Sequence, residues 1–480
     1  MNLICFTLNL GKRTPCFPRK NLNPFHNIYN DVDYLQRFSY ISNQKIKSNT
    51  IIKSIFSGST NEENPEVLLS ENFRSWLLSK NVFIYNKSTW GRPPHPCVIS
   101  NETTDEGEPS GRGLLAYKNI QQNEKVIEIP ENLIIQNDFK NKSFSNQIEL
   151  DDYDALAIFL IQQRAAGEKS PWKPYLDVLP KETDLGLVFR WELNDVFFLK
   201  GSKIIRATLF LKEKIVNQFE RVQNTVFEKN PLFFPPSLFN LQSWEWALSV
   251  LFSRAIFLQK IQKLSLVPYA DLLNHNPFST SYIDAKEIPF SDAYEIAMYT
   301  DKPYSKFDQV FATYGPKTNL ELLVLYGFIS ERNPFDSVEL RVGISENDPL
   351  FGEKKNFLED GGKTPKMTFP IFYYQYPKEL YEFLRFCIVN PIDLNESDLS
   401  SLDFEEEEDL STERIIRKII IFSCEKNIKD YTKISQEEKI FSLLDTKISI
   451  SKNQKIAIRQ RKCEKKILQR LVLNLQKSII

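Results

Sequence analysis

Apolar positions recur at helical spacing in four places along the chain. Residues 66–80 put Leu68, Leu69, Phe73, Trp76 and Leu77 on one face, so a helix is predicted where the foldable part begins, near Pro65. Leu156, Leu160 and Ile161 share a stripe that follows Asp151. The Asp151 side chain can accept from the free N–H groups at the start of a helix running to Ala166. A third stripe, Ala247, Val250, Leu251 and Phe257, predicts a helix from 243 to about 260. The last, Ile456, Cys463, Ile467, Leu471 and Leu475, runs through 455–475 under a coat of Lys and Arg. Elsewhere the texture is different. Residues 111–116, 125–130 and 265–330 read as short strands and turns. The chain is therefore expected to be α+β, with small sheets, a helical insert at about 145–260 and a tail that is mostly helical from about 375.

The first 60 residues carry no such pattern. They hold eight Lys or Arg against two acids, Asp31 and Asp33, and are rich in Asn and Ser. That composition fits an organelle transit peptide over about residues 1–62, with an ordinary disordered N-terminus as the alternative. Plastid and mitochondrion both remain open as destinations, and cytoplasm if the segment is not a transit peptide.

Composition narrows the classes that remain. A chain of 480 residues with 42% hydrophobic positions, 36 Phe and 19 Tyr can fill two or three cores. No run approaches the roughly 18 uncharged apolar residues of a membrane span. The whole chain has 61 basic and 62 acidic residues, so beyond the basic leader it leans acidic. A nucleic-acid partner is not expected on that balance, and a protein partner is. The six cysteines are scattered without a C-x-x-C pair, and there are three histidines, His26, His95 and His275. No structural metal is expected, and the compartment should be reducing.

Three segments carry candidate chemistry. In Ser110-Gly111-Arg112-Gly113 the glycines would let backbone approach a ligand closely, although taken alone the segment reads more simply as a plain hairpin turn. Val267-Pro268-Tyr269-Ala270-Asp271-Leu272-Leu273-Asn274-His275 brings an Asn and a His to the end of an apolar stretch. Gln309-Val310-Phe311-Ala312-Thr313-Tyr314-Gly315 is followed by the apolar segment Asn319 to Phe328, which contains Tyr326. An apolar helix between Tyr314 and Tyr326 can turn both rings towards one pocket.

Taken in order, these segments resemble the SET domain, and more narrowly the plant Rubisco large-subunit methyltransferase branch of that family. Ser170-Pro171-Trp172-Lys173-Pro174-Tyr175-Leu176-Asp177-Val178-Leu179-Pro180, Ser253-Arg254-Ala255 and Arg461-Lys462-Cys463-Glu464-Lys465-Lys466-Ile467-Leu468 are similar to further hallmarks of the branch. The resemblance covers roughly residues 65–475. It implies a SET β-clip with a knot-like crossing over about 63–335, the helical insert within it, and an all-α substrate-binding domain over 336–480. It also implies transfer of methyl from S-adenosyl-L-methionine to a protein lysine, in a monomer of the plastid stroma acting on Rubisco large subunit or plastid aldolase.

Carried over by position, Ser110, Gly111 and Arg112 would line the methionine part of the cofactor, and Asn274 and His275 its adenosyl end. Tyr314 would be the catalytic tyrosine, beside the cofactor as well. Arg254, Asp271 and Tyr326 would line the substrate side, Tyr326 forming the lysine channel. The family often has Glu where this chain has Ser110. Members of the wider branch that methylate histidine, and an inactive adaptor that only binds protein, are the alternatives.

Overall fold

The computed structural model describes residues 65–84, 93–105, 108–137, 150–388 apart from Thr183, Asp292 and Tyr374, 410–444 and 451–477. The transit-peptide reading falls outside these residues. Helix α1 (Pro65–Ser79) buries Phe73 and Leu77, as its spacing predicts, while Leu68 of the same stripe is exposed. Strands β1 (Cys97–Asp105) and β2 (Glu108–Ala116) then form an antiparallel pair, with Gly111 opposite Thr103 and Gly113 opposite Ser100. Strand β3 (Lys125–Pro130) buries Val126, Ile127 and Ile129 and belongs to a second sheet.

The insert opens with α2 (Asp152–Ala166). The Asp151 side chain accepts from the Asp154 N–H, and Asp154 reciprocates, which completes a capping box. Short helices α3 (Lys173–Val178) and α4 (Leu193–Phe197) precede α5 (Ile204–Val222) and α6 (Leu241–Arg254). The helix expected to reach about 260 stops at Arg254. Ala255 is extended, and Ile256–Leu258 pairs as β4 with β5 (Lys263–Ser265). A run of Ile, Phe and Leu suits a pleated surface better than a helix, so Phe257 belongs to the strand and not to the stripe of α6.

Four more strands complete the first unit. They are β6 (Asn274–His275), β7 (Asp284–Glu287), β8 (Tyr294–Tyr299) and β9 (Gln309–Ala312). One sheet has the order β1-β2-β9-β6, and another β3-β8-β7. The decisive pairing is β6 with β9, which is parallel, with Asn274 beside Phe311 and His275 beside Ala312. It brings segments more than thirty residues apart side by side, and a parallel pair requires such a crossover. After β9 a single helical turn, α7 (Asn319–Glu321), widens into a π-turn at Leu322–Tyr326.

Beyond this point a second buried cluster forms around Leu340, Ile371, Leu384, Ile416, Ile420 and Leu468. It includes a feature that corrects the all-α expectation for 336–480. Strands β10 (Ser337–Gly343) and β11 (Lys366–Phe372) pair in antiparallel register, separated by helix α8 (Phe351–Asp360). In β10, Val338, Leu340 and Val342 are buried while Glu339 and Arg341 are exposed, the period-two signature of a half-buried strand. The rest is helical: α9 (Lys378–Ile388), α10 (Leu410–Leu444) and α11 (Lys452–Lys477). On α11, Cys463, Ile467, Leu471 and Leu475 are buried as predicted, with Ile456 packed partly against the first core. Glu464 ties the tail to the insert by accepting from Ser202 Oγ at 2.7 Å and Tyr431 Oη at 2.8 Å. No described helix is long and apolar enough to cross a membrane.

Candidate active site

The chain reaches the site through buried Leu272 and Leu273, then forms β6 with Asn274 part-exposed and His275 buried before turning away. Because β6 runs parallel to β9, the segment leaving β9 crosses directly over His275. The Tyr314 N–H donates to His275 Nδ1 at 3.0 Å. That bond makes Nδ1 an acceptor, so the ring is neutral. The His275 and Tyr314 rings stack with centroids 5.0 Å apart, and Tyr314 stacks on Tyr326 at the same spacing. Phe328 closes the group at 6.4 Å from both His275 and Tyr326. Thr318 and Glu321 form a capping box that fixes the start of the turn carrying Tyr326. Gly327 then ends it in the left-handed region, at φ 78°.

The Tyr314 hydroxyl donates to the Leu273 carbonyl at 2.6 Å. Removal from water pushes its pKa up to about 12, and Tyr326 is pushed higher still by the same cause. Both phenols therefore hold their protons at neutral pH. Burial lowers His275 to about 4, opposed in part by the Ala312 backbone. An unfolded imidazole titrates near 6.5. The stability gained by keeping this ring neutral is thus complete above about pH 6.5 and is lost as pH falls towards 4. His275 should contribute a loss of about 2 kcal/mol at about pH 5 relative to about pH 7.5, read from urea unfolding as the difference between the wild-type and His275→Gln pH profiles.

On the other side of β9 from β6 lies β2. Gly111 sits at φ 74°, and a Cβ added there would meet nothing within 4 Å, so its backbone faces open space. Ser110 is the adjacent, part-exposed strand residue. The Arg112 side chain points elsewhere: Nη1 donates to the Val178 carbonyl at 2.6 Å and Nε to Asn101 Oδ1 at 3.1 Å. Its backbone carbonyl lies 3.2 Å from Asn274 Nδ2. Arg254, at the end of α6, donates from Nη1 to the Asp271 carbonyl at 2.9 Å, with Asp271 Oδ2 at 3.9 Å. The Asp271 side chain is fully buried and accepts from Tyr175 Oη at 2.7 Å. Burial raises its pKa, and the Arg254 charge opposes the rise.

The predicted residues thus form two groups along the crossing: a glycine strand with Asn274, and an aromatic group backed by the Arg254–Asp271 pair. Tyr175 and Phe328 join them without having been singled out by the sequence. Tyr175 meets Asp271 across 96 positions of chain, a proximity that no local pattern carries. The arrangement suits a small zwitterionic nucleoside. It offers an open backbone cradle at Gly111 and two buried polar atoms, Asp271 Oδ1 and Arg254 Nε, that lack a hydrogen-bond partner.

Comparison with known proteins agrees with this geometry. The chloroplastic [fructose-bisphosphate aldolase]-lysine N-methyltransferase of Arabidopsis thaliana is 30% identical over 414 residues, covering 83% of this chain and 81% of that protein. The SET-domain family model matches residues 111–315, and the Rubisco LSMT substrate-binding model matches 345–468. The chain belongs to the SET-domain methyltransferase family. Within that family, the tobacco (Nicotiana tabacum) Rubisco large-subunit N-methyltransferase, also chloroplastic, is 27% identical over 84% of this chain and 80% of its own length. The human actin-histidine N-methyltransferase is 26% identical over 58% of this chain and 48% of its own. Among solved structures, Rubisco LSMT bound to AdoMet superposes with a TM-score of 0.64 at 25% identity, covering 86% of this chain and 92% of that one. The same protein bound to sinefungin and monomethyllysine gives 0.65. The SET match begins at Gly111 and ends at Gly315, so it spans the cradle, Asn274–His275 and Tyr314 in one unit.

Proposed function

We propose that this SET-domain chain transfers a methyl group from S-adenosylmethionine to a lysine side chain of another protein. The observation that carries the proposal is the stacked series His275, Tyr314 and Tyr326 at the parallel β6–β9 crossing, with the Tyr314 hydroxyl anchored on the Leu273 carbonyl. When bound, the cofactor supplies an electrophilic methyl on a sulfonium. The backbone of Ser110, Gly111 and Arg112 receives its methionine end, and Asn274 and His275 its adenosyl end. Arg254 and Asp271 brace the floor between the two groups, and Arg254 is the part-exposed member of the pair.

Tyr314 and Tyr326 then wall the lysine channel. A lysine ammonium entering an aromatic, water-poor channel loses hydration, which favours the neutral amine needed for attack. Tyr314 stays protonated and orients that amine, and alignment of this kind lowers a barrier by several kcal/mol. It does not act as a strong base, because its pKa is raised rather than lowered.

We place the catalytic unit at about 63–335 and the substrate-binding unit at 336–480, since one buried cluster runs through to Leu325, taking in Ala457 of α11 besides, and the next opens at Val338. The plastid is the proposed compartment, and Rubisco large subunit or aldolase the proposed substrate. The chloroplastic relatives support both. A monomer acting on a folded protein is the proposed working state. Purified Rubisco and aldolase, each incubated with the enzyme and methyl-labelled AdoMet, should test the substrate. Label on either supports the assignment. Label on neither, but on another plastid protein, would replace it. Cofactor binding without any transfer would favour an adaptor.

A further inference from the structure

Behind the cradle, residues from four strands form a closed polar cluster that the proposed chemistry does not use. Asn274 on β6 donates from Nδ2 to Gln309 Oε1 at 2.7 Å, and the same nitrogen lies 3.2 Å from both Thr103 Oγ1 and the Arg112 carbonyl. Gln309 Nε2 donates to the Thr104 carbonyl at 2.8 Å, and the Thr103 hydroxyl donates to the Gly111 carbonyl at 2.9 Å. Both chains of bonds end on backbone carbonyls, which only accept. The direction of every bond is therefore fixed. Gln309 must present its oxygen to Asn274, and Asn274 must present its nitrogen to Gln309. The Asn274 amide is held with Oδ1 turned out of the cluster.

Burial makes the arrangement rigid, since Gln309 and Thr103 are 8% and 4% exposed. Gly113 leaves the room for it. A Cβ at that position would stand 2.8 Å from both Asn274 Nδ2 and Gln309 Oε1. The cluster thus grips two residues assigned to the cofactor site, Asn274 through its amide and Gly111 through its carbonyl.

We infer that Gln309, assisted by Thr103, is a positioning residue for the nucleoside cofactor: it fixes the Asn274 amide in one orientation and holds the Gly111 backbone at the cradle. The inference rests on the cofactor reading proposed above. An asparagine amide free to flip presents either a donor or an acceptor to a ligand. Pinned by Gln309 it presents only the acceptor. A glutamine that merely satisfied strand ends would contribute to stability and leave ligand binding unchanged.

Calorimetric titration with S-adenosylhomocysteine separates the two roles. Gln309→Met keeps the side-chain length but removes the amide. It should weaken binding by about tenfold or more, because the Asn274 amide loses its shortest hydrogen bond and is held only by the two longer ones to Thr103 and the Arg112 carbonyl. The KM for AdoMet should rise in step, while the KM for the protein substrate stays unchanged. Gln309→Glu keeps an oxygen for Asn274 and should recover part of the affinity. Thr103→Val keeps the strand and the shape, so it should weaken binding in the same sense even if the methionine variant folds poorly. Met and Val variants that melt lower yet bind S-adenosylhomocysteine within about twofold of wild type would overturn the inference. Wild-type protein that fails to bind it would instead overturn the cofactor reading.

Discussion

Tyr314→Phe should lower kcat for methyl transfer by about two to three orders of magnitude while leaving S-adenosylhomocysteine binding within about threefold of wild type. The substitution removes one oxygen and keeps the ring, so the stack between His275 and Tyr326 remains. What is lost is the hydroxyl anchored 2.6 Å from the Leu273 carbonyl, one residue before β6. That oxygen is the polar atom of the aromatic wall whose position is set by backbone on both sides: through Leu273, and through the Tyr314 N–H on His275. Stability should fall by about 1 kcal/mol for the missing hydrogen bond. A melting curve close to wild type alongside a large loss of kcat would therefore place the effect in the reaction. A kcat within about fivefold of wild type would mean that the Tyr314 hydroxyl does not act in the transfer step.

Gly327→Ala should cost more stability than alanine at Gly111 or Gly315, about 2–4 kcal/mol. Gly327 stands at φ 78°, and a Cβ built on it would lie 2.7 Å from the Gly186 carbonyl carbon and 2.9 Å from its oxygen. Both neighbours are backbone, so no side chain can swing aside. Gly111 and Gly315 serve as controls. They also have positive φ, at 74° and 91°, but a Cβ on either meets nothing within 4 Å. Alanine there should carry only the conformational cost, about 1 kcal/mol. The expected ranking, read from urea midpoints, separates packing from backbone strain. Gly327 follows Tyr326 directly, so any shift that relieves the clash moves the second tyrosine of the channel. The variant should lose activity beyond its loss of folded protein. If Gly327→Ala melts like Gly315→Ala, the close approach to Gly186 is not real.

Much of this architecture is legible in the sequence, and the parts that are not have physical reasons. Helices α2 and α11 carry regular stripes, and α2 has a capping aspartate to mark its start. Helix α5 carries an equally regular stripe through Ile204, Ala207, Leu211, Ile215 and Phe219. It begins at Ile204, where Lys203 in the cap position makes no side-chain capping bond, and nothing in the local sequence marks that boundary. Strand β6 is two residues long, too short for any periodicity, and its parallel partner lies beyond two other strands. That pairing is not legible from local pattern. Tyr314 and Tyr326 are recognisable as a pair from their motif. The support of the neighbouring Asp271 and Asn274 is not, because Tyr175 meets Asp271 across 96 positions of chain, and Gln309 and Thr103 meet Asn274 across 35 and 171. Strand β10 alternates cleanly, yet its partner comes only after helix α8, so neither reads as a hairpin.

The pairing of Tyr314 with Tyr326 bears on which side chain is methylated, since relatives act on lysine in some cases and on actin histidine in another. The most direct measurement is amino-acid analysis of labelled acceptor protein after reaction with methyl-labelled AdoMet and complete acid hydrolysis. The account predicts that the label elutes as methylated lysine and that Tyr314→Phe abolishes most of it. Label recovered as methylhistidine, or lysine label of undiminished intensity from the Tyr314→Phe protein, would contradict it.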